Sequence, residues 1–138
     1  MAKLKEDLKI LIVDDSIETV NVMRLFLKNK GLKNVLHCED GETALSIVER
    51  EYNDLKPVQL IFLDLNMPKM SGEEFLEKVR SNSNYDNMLI IVSTAEGDKE
   101  RVSEVVKNKV DGYILKPLTA DKVFTKIVDS VKKVRRLA

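Results

Sequence analysis

The chain has 138 residues, 43% of them hydrophobic, which suits one domain with a substantial core and excludes a disordered segment. Its 23 basic and 23 acidic residues balance, so we expect no broad basic surface for direct binding of nucleic acid or of an anionic membrane. The N-terminus lacks a signal-peptide pattern and no apolar run approaches the roughly 20 residues of a membrane span, so we expect a cytoplasmic protein.

Two residue counts narrow the chemistry that the chain can perform. The single cysteine, Cys38, excludes an intrachain disulfide and a Cys-rich zinc site, and the single histidine, His37, excludes a multi-histidine metal centre. Both residues lie in a mostly apolar segment and are interpreted as strand residues. Any chemistry must therefore use carboxylates, hydroxyls and lysine, and a metal ion bound by such groups would be a hard one.

Five short apolar runs predict five β-strands. Three of the runs are almost unbroken Val, Ile, Leu or Phe, which is typical of strands buried on both faces of a parallel sheet. In chain order the runs are KILIV at 9–13, NVLHC at 34–38, LIFL at 60–63, LIIVS at 89–93 and GYIL at 112–115.

A helical pattern follows each apolar run. The first helix is predicted to place Ile17, Val20, Arg24 and Leu27 on one face and to stop at Gly31. The second helix is predicted at 43–50, and the third after a capping box formed by Ser71 and Glu74. The fourth is predicted around Val102, Val105 and Val106. The fifth begins near Val123 and continues through Val131 and Val134.

Five strand–helix units in succession predict an α/β fold with three layers, doubly wound as (βα)5, with helices on both faces of a parallel sheet. The polar stretches 51–57 and 81–87 are interpreted as loops. We expect the whole chain, residues 1–138, to form a single domain with a core at about 9–134.

Polar side chains follow all five runs at or just after the strand end. After the second run they are Glu39 and Asp40, which suit an ordinary turn and helix cap. After the other four runs they are Asp14 and Asp15, then Asp64 and Asn66, then Thr94, and finally Lys116. Ligands bind open parallel sheets at the carboxyl ends of the strands, so we expect these side chains to lie together. Each alone also suits a turn, a helix cap or the surface, but their convergence on one edge favours a functional site.

Three neighbouring carboxylates need a cation. Two carboxylates about 4 Å apart repel by roughly 4 kcal/mol at an effective dielectric of 20. Lys116 supplies one positive charge, and a donor set made only of oxygen atoms favours Mg²⁺ as the second cation. Because Mg²⁺ favours phosphate as a further ligand, the set predicts a phosphoryl site with Asp64 as nucleophile, the Thr94 hydroxyl, and backbone amides at Ala95 and Asn66.

The chain resembles the receiver domain of two-component response regulators over about residues 9–134. The motifs ILIVDDS, LIFLDLNMPKMSG, LIIVSTAEG and DGYILKP carry the resemblance, in this order and with matching spacing. It implies a flavodoxin-like parallel sheet with strand order 2-1-3-4-5. No output domain is expected after the receiver core.

The resemblance also implies a role for each polar residue. Asp64 is the implied phosphoacceptor, which takes a phosphoryl group from a histidine kinase or a histidine phosphotransfer protein. The implied phosphoryl contacts are Thr94 and Lys116. The implied Mg²⁺ ligands are Asp15, Asp64 and the Asn66 backbone carbonyl, with Asp14 acting through a water.

Output is implied to pass through a protein surface. Tyr113 matches an aromatic switch position, whose movement remodels the face formed by the fourth helix, the fifth strand and the fifth helix for a downstream protein target. A cis peptide bond is implied between Lys116 and Pro117. Asn66 and Glu96 are the pair typical of single-domain chemotaxis regulators, which implies that they tune a short phosphoryl lifetime.

Two other functional classes stay open. A Mg²⁺-dependent phosphohydrolase of the haloacid-dehalogenase type also uses an aspartyl nucleophile after a strand, but it needs an acid where this chain has Asn66. A phosphorylation-independent adaptor would keep the fold without the chemistry, and the intact set of acids argues against it. Ser93 beside Thr94 offers a second hydroxyl. We expect the chain to catalyse only its own phosphorylation and dephosphorylation, not to act as an ordinary enzyme.

Overall fold

The computed structural model describes residues 6–95, 100, 103 and 110–132 of the chain. Five parallel strands form one sheet in the order β2-β1-β3-β4-β5, which confirms the predicted doubly wound fold and its strand order. The strands are β1 (Ile10–Val13), β2 (Val35–Cys38), β3 (Leu60–Asp64), β4 (Leu89–Thr94) and β5 (Gly112–Leu115).

Helices cover both faces of the sheet. They are α1 (Ile17–Asn29), α2 (Gly41–Asn53), α3 (Gly72–Arg80) and a C-terminal helix (Ala120–Lys132), with one 3-10 turn at Ser83–Tyr85. The helix predicted around Val102, Val105 and Val106 lies outside the described residues, as does Val134. None of the described helices combines the length and the apolar character needed to cross a membrane.

The three central strands, β1, β3 and β4, are buried on both faces, which explains their unbroken apolar runs. Side chains alternate along each strand, so Leu11 and Val13 pack with α2 and α3, whereas Ile10 and Ile12 pack with α1 and the C-terminal helix. Each fully buried large apolar side chain contributes about 1.5–3 kcal/mol to folding, so two such layers hold the sheet firmly. The strand ends are therefore fixed positions for the polar residues that follow them.

Each of the first three helices begins with a capping side chain just after a strand or the loop that follows one. Ser16, Asp40 and Ser71 each accept a hydrogen bond from the backbone N–H three residues further on, at 3.3, 2.8 and 3.2 Å. These bonds satisfy amides that the helix itself leaves unpaired. The caps thereby set where each helix starts relative to the carboxyl edge of the sheet.

Two local predictions were wrong. Ile17 was expected to share one face of the first helix with Val20 and Leu27, but Ile17 is 57% exposed, whereas Met23 is buried with those two residues. At about 100° per residue, Ile17 lies at the rim of the arc centred on Val20 and Leu27, whereas Met23 lies within it. The stretch 51–57 was expected to be a loop, but α2 continues through its first three residues to Asn53.

Candidate functional site

The carboxyl ends of β1 and β3 bring three acids together. Asp14 and Asp15 follow β1, and Asp64 ends β3, which pairs directly with β1. One carboxylate oxygen from each acid lies within 4.8 Å of the other two. Asp14 and Asp64 are buried, whereas Asp15 is exposed, so the cluster is open to solvent on one side. Such a cluster of oxygen donors can hold a metal ion.

Lys116 brings one positive charge into this cluster. Its Nζ donates a hydrogen bond to Asp14 Oδ2 at 3.0 Å and lies 3.6 Å from Asp64 Oδ2. Burial lowers the pKa of Lys116, but the hydrogen bond to Asp14 and the charges of Asp14 and Asp64 outweigh burial, so the pKa is raised overall. The lysine therefore stays protonated and bridges two acids that would otherwise repel each other.

The electrostatic balance at Asp64 disfavours its ionised form. Burial is the largest cause of its raised pKa, and the negative charges of Asp14 and Asp15 act in the same direction. The Asn66 backbone N–H, which donates to Asp64 Oδ1 at 3.1 Å, and the Lys116 ammonium oppose the shift without cancelling it. One lysine thus leaves this carboxylate short of positive charge, and a bound cation would supply it.

The loop after β3 holds Asp64 through close backbone packing. The Gly72 N–H donates to the Leu65 carbonyl at 3.2 Å, which brings α3 against the end of the strand. A Cβ atom at Gly72 would lie 2.7 Å from Leu65 Cα and 2.8 Å from the Asp64 carbonyl oxygen. Only glycine allows this approach, so Gly72 positions the loop that carries Asn66.

Asp14 is oriented by a backbone contact that the sequence pattern did not suggest. The Ser16 N–H donates to Asp14 Oδ1 at 2.9 Å while Lys116 occupies Oδ2, so both oxygens have partners. Ser16 also caps α1, and a serine directly after the acid pair is the sequence signal from which this arrangement could have been predicted.

The two predicted hydroxyls occupy different places. Thr94 is the last residue of β4, is fully buried, and its carbonyl accepts a hydrogen bond from the Lys116 N–H at 2.8 Å. Ser93 is also buried and is paired in register with Asp64. Ala95 follows as an exposed residue, and Glu96 lies outside the described residues.

Tyr113 lies on β5 with 43% of its surface exposed, and the Lys126 Nζ lies 5.7 Å from the centre of its ring. Its ring therefore faces outward, beside the C-terminal helix. The Lys116–Pro117 peptide bond is cis, as the resemblance implied.

His37 and Cys38 lie in β2, as the sequence suggested. Burial raises the pKa of the Cys38 thiol to about 12, so almost no reactive thiolate forms at neutral pH. Arg24 Nη2 lies 2.8 Å from His37 Nδ1, on the edge strand β2. Neither side chain joins the acidic cluster, although the Cys38 carbonyl accepts a hydrogen bond from the Asp14 N–H at 3.1 Å.

Comparison with known proteins identifies the family of the chain. The family model for the response regulator receiver domain matches residues 10–128. The chain belongs to the response regulator receiver family. It is 32% identical to chemotaxis protein CheY-3 of Vibrio cholerae over 91% of this chain and 98% of that protein. It is 34% identical to a CheY homologue of Campylobacter jejuni over 88% of this chain and 91% of that protein.

Solved structures of receiver domains share the fold. The chain aligns with Vibrio cholerae CheY4 at a TM-score of 0.72 and 28% identity, over 94% of this chain and 98% of that one. The receiver domain of AraT, a response regulator from Geobacillus stearothermophilus, aligns at 0.80 and 26% identity over 94% and 97% of the two chains. The chain is therefore a CheY-like signalling domain of the two-component type.

Proposed function

We propose that this receiver accepts a phosphoryl group on Asp64 from a phosphohistidine of a histidine kinase or a histidine phosphotransfer protein. One observation supports this function most strongly. Three carboxylates lie within 4.8 Å of one another at the end of the sheet, and the Lys116 Nζ lies 3.0 Å from Asp14. A fold that only needed stability would not gather three anions around a single lysine.

The donor set fits Mg²⁺. We propose Asp15, Asp64 and the Asn66 backbone carbonyl as direct ligands, with Asp14 acting through a water because its oxygens already bind Lys116 and the Ser16 N–H. Bound there, Mg²⁺ would neutralise the excess negative charge and bind an oxygen of the incoming phosphoryl group.

The residues of the chain suit an in-line transfer. Asp64 Oδ1 accepts from the Asn66 N–H, which leaves Oδ2, on the side of Lys116, to attack the phosphorus atom. The new O–P bond forms as the P–N bond of the phosphohistidine breaks, and the imidazole leaves and takes up a proton. Lys116, the Thr94 hydroxyl and the Ala95 N–H then bind the phosphoryl oxygens.

The proposal also covers the loss of the phosphoryl group and the output of the domain. The chain catalyses only its own phosphorylation and dephosphorylation, with Asn66 and Glu96 tuning the phosphoryl lifetime. Tyr113, moving with Thr94, remodels the face that includes β5 and the C-terminal helix, and this face binds a downstream protein. We propose that residues 1–138 act as one receiver domain, and that the exchange takes place in the cytoplasm, where ATP-dependent kinases make phosphohistidine.

The surface beside the site suits a protein donor. The outer face of α1 exposes three apolar residues, with Ile17 57%, Leu25 55% and Val22 42% exposed. Val22 also lines a shallow groove together with Lys116 and Leu118. A protein that presents a phosphohistidine to Asp64 has to cover this surface, and the exposed apolar residues give it something to bind.

Phosphorylation by a small donor tests the acceptor. With acetyl phosphate and Mg²⁺, we expect the wild-type chain to gain one acid-stable, hydroxylamine-sensitive phosphoryl group and Asp64→Asn to gain none. Asp86→Asn, which changes an exposed aspartate at the end of the 3-10 turn, is the matched control and should label normally. Undiminished labelling of Asp64→Asn at another residue would contradict the assignment.

A second comparison tests the donor surface. Val22→Glu should slow transfer from a histidine kinase about tenfold, because an apolar contact is replaced by a charge. Its rate with acetyl phosphate should stay unchanged. Leu55→Glu is the control, since Leu55 is 89% exposed and precedes β3 at the opposite edge of the sheet. Equal kinase rates for the two variants would rule out this face of α1 as the docking surface.

A further inference from the structure

Ser93 is a buried polar residue whose side chain lacks a visible role in the fold. It is 2% exposed, and within the described part of the chain its Oγ has no hydrogen-bond partner. Buried hydroxyls in folded proteins normally have a partner, because an unpaired one has lost its water without compensation. A buried hydroxyl in this condition calls for a functional explanation when it lies beside a reactive group.

The register of the sheet brings Ser93 beside the phosphoacceptor. Ser93 on β4 is paired with Asp64 on β3. Paired residues on neighbouring parallel strands project to the same face, and the strands lie about 5 Å apart. Two residues earlier on the same strands, Phe62 and Ile91 pack in the core under α1 and the C-terminal helix, so Asp64 and Ser93 project to that face too.

Thr94 lies on the other face by the same alternation, with Val92, whose side chain packs in the core under α2 and α3. In this structure, therefore, Ser93 is the strand hydroxyl that shares a face with the acceptor. Thr94 must reorient its side chain before it can reach a phosphoryl group on Asp64.

We infer that Ser93 is a positioning residue for phosphoryl transfer: its hydroxyl donates a hydrogen bond to the Asp64 side chain as the acyl phosphate forms. This inference rests on the proposed function. Asp64 Oδ1 already accepts from the Asn66 N–H, while the Lys116 Nζ lies 3.6 Å from Oδ2, so the carboxylate retains acceptor capacity for the serine. A serine hydroxyl reaches such an acceptor by rotating about one bond, without moving the strand.

The step balances without a further reactant. An O–P bond forms to Asp64, the O–P bond to the leaving acetate of acetyl phosphate breaks, and Ser93 keeps its proton throughout. The hydroxyl holds the carboxylate in the orientation for attack, and its effect should appear in the rate of transfer and not in the affinity for Mg²⁺.

Ser130 provides a matched control within the same chain. It is 1% exposed and its Oγ also has no hydrogen-bond partner among the described residues. Its Oγ lies 3.9 Å from the Cβ position of Gly112, at the start of β5 and far along the strand from the acidic cluster. An unpaired buried hydroxyl is thus not by itself a site, and what distinguishes Ser93 is its register with Asp64.

The experiment measures phosphorylation of the full chain by acetyl phosphate as a function of donor concentration, together with the Kd for Mg²⁺. We expect Ser93→Ala to lower the maximal rate about tenfold, the loss of one hydrogen bond to a charged group, with the Mg²⁺ Kd unchanged. Ser130→Ala should match the wild type. Ser93→Thr and Ser93→Val have equal volume and differ in the hydroxyl, so the first should stay near the wild-type rate and the second should be slow.

Three results would overturn the inference: equal rates for Ser93→Ala and wild type, equally slow Thr and Val variants, or a loss of Mg²⁺ affinity that accounts for the slower rate. If Ser93→Ala fails to fold, the Thr and Val pair still gives the answer. Labelling that persists in Asp64→Asn would instead refute the proposed function. If Asp64→Asn is not labelled but the Ser93 variants are phosphorylated at the wild-type rate, only this inference is refuted.

Discussion

Buried charges are arranged differently at the two ends of the strands, which we call the amino edge, where the strands begin, and the carboxyl edge, where they end. At the amino edge, the Lys9 Nζ lies 2.6 Å from Glu51 Oε1 and donates to the Lys56 carbonyl at 2.9 Å. At the carboxyl edge, Asp14, Asp15 and Asp64 lie within 4.8 Å of one another, and the Lys116 ammonium contacts Asp14 and Asp64.

A second pair at the amino edge follows the same rule as Lys9. Arg80 Nη2 lies 3.3 Å from Asp111 Oδ2, and its Nη1 donates to the Tyr85 carbonyl. Asp111 Oδ2 also accepts from the Ile90 N–H at 2.8 Å, which ties α3 to two strands. The charges at the amino edge are paired and hold the fold together, whereas at the carboxyl edge negative charge is in excess, as the proposed ligand site requires.

The largest expected effect comes from removing Lys116, the cation that contacts Asp14 and Asp64 at the carboxyl edge. Lys116→Ala should slow phosphorylation by acetyl phosphate about 100-fold, because the developing phosphoryl charge loses a fixed positive partner. Mg²⁺ binding, followed by titration, should remain, since the three carboxylates are intact. A variant that is phosphorylated at the wild-type rate would make Lys116 a surface residue with no part in the chemistry.

Removing a cation at the amino edge should instead lower stability and leave the rate of phosphorylation unchanged. Arg80→Met should lower the free energy of unfolding by about 2 kcal/mol, because Asp111 and the Tyr85 carbonyl lose a half-buried partner. Its rate of phosphorylation should match the wild type. If Arg80→Met is phosphorylated slowly but is as stable as the wild-type chain, the proposed difference between the two edges is wrong.

An intermediate effect is expected from Mg²⁺ itself. At ten times its Kd, the ion should raise the free energy of unfolding by about 1.4 kcal/mol, because it binds the folded chain and relieves the repulsion among the acids. Thermal melts with and without Mg²⁺ measure this shift, and Asp15→Asn, which removes a proposed ligand, should reduce it. The absence of any shift up to tens of millimolar would count heavily against a metal site.

The carboxyl-edge side of this contrast could be predicted from the sequence, whereas the ion pairs of the amino edge could not. Strands buried on both faces need unbroken apolar runs, so the starts of β3 at Leu60 and of β4 at Leu89 could be predicted to the residue. Acids that follow such runs must collect at one edge, and that is why Asp14 and Asp64 could be predicted to meet.

What could not be predicted depends on how elements rotate and pair. The exposure of Ile17 is set by the rotation of α1 on the sheet, which many side chains decide together. Which of Ser93 and Thr94 shares a face with Asp64 depends on the register of β4 against β3, and no single segment contains that information. The orientation of Asp14 by the Ser16 N–H likewise exists only once α1 has formed.

The smallest effect is also the most direct test of excess charge. Because the pKa of Asp64 is raised in the folded state, mainly by burial, the native chain holds this proton more tightly than the unfolded chain does. Stability is therefore lost as pH rises from the ordinary aspartate pKa of about 4 through the raised value. In metal-free buffer at neutral pH, Asp64→Asn should be about 1 kcal/mol more stable than wild type, and the difference should shrink below about pH 4. Asp111→Asn at the amino edge should be less stable, because it loses its ion pair with Arg80. Denaturant titrations at neutral pH and below about pH 4 measure these changes in the free energy of unfolding. If the two variants changed it in the same direction at neutral pH, the two edges would not differ in this respect.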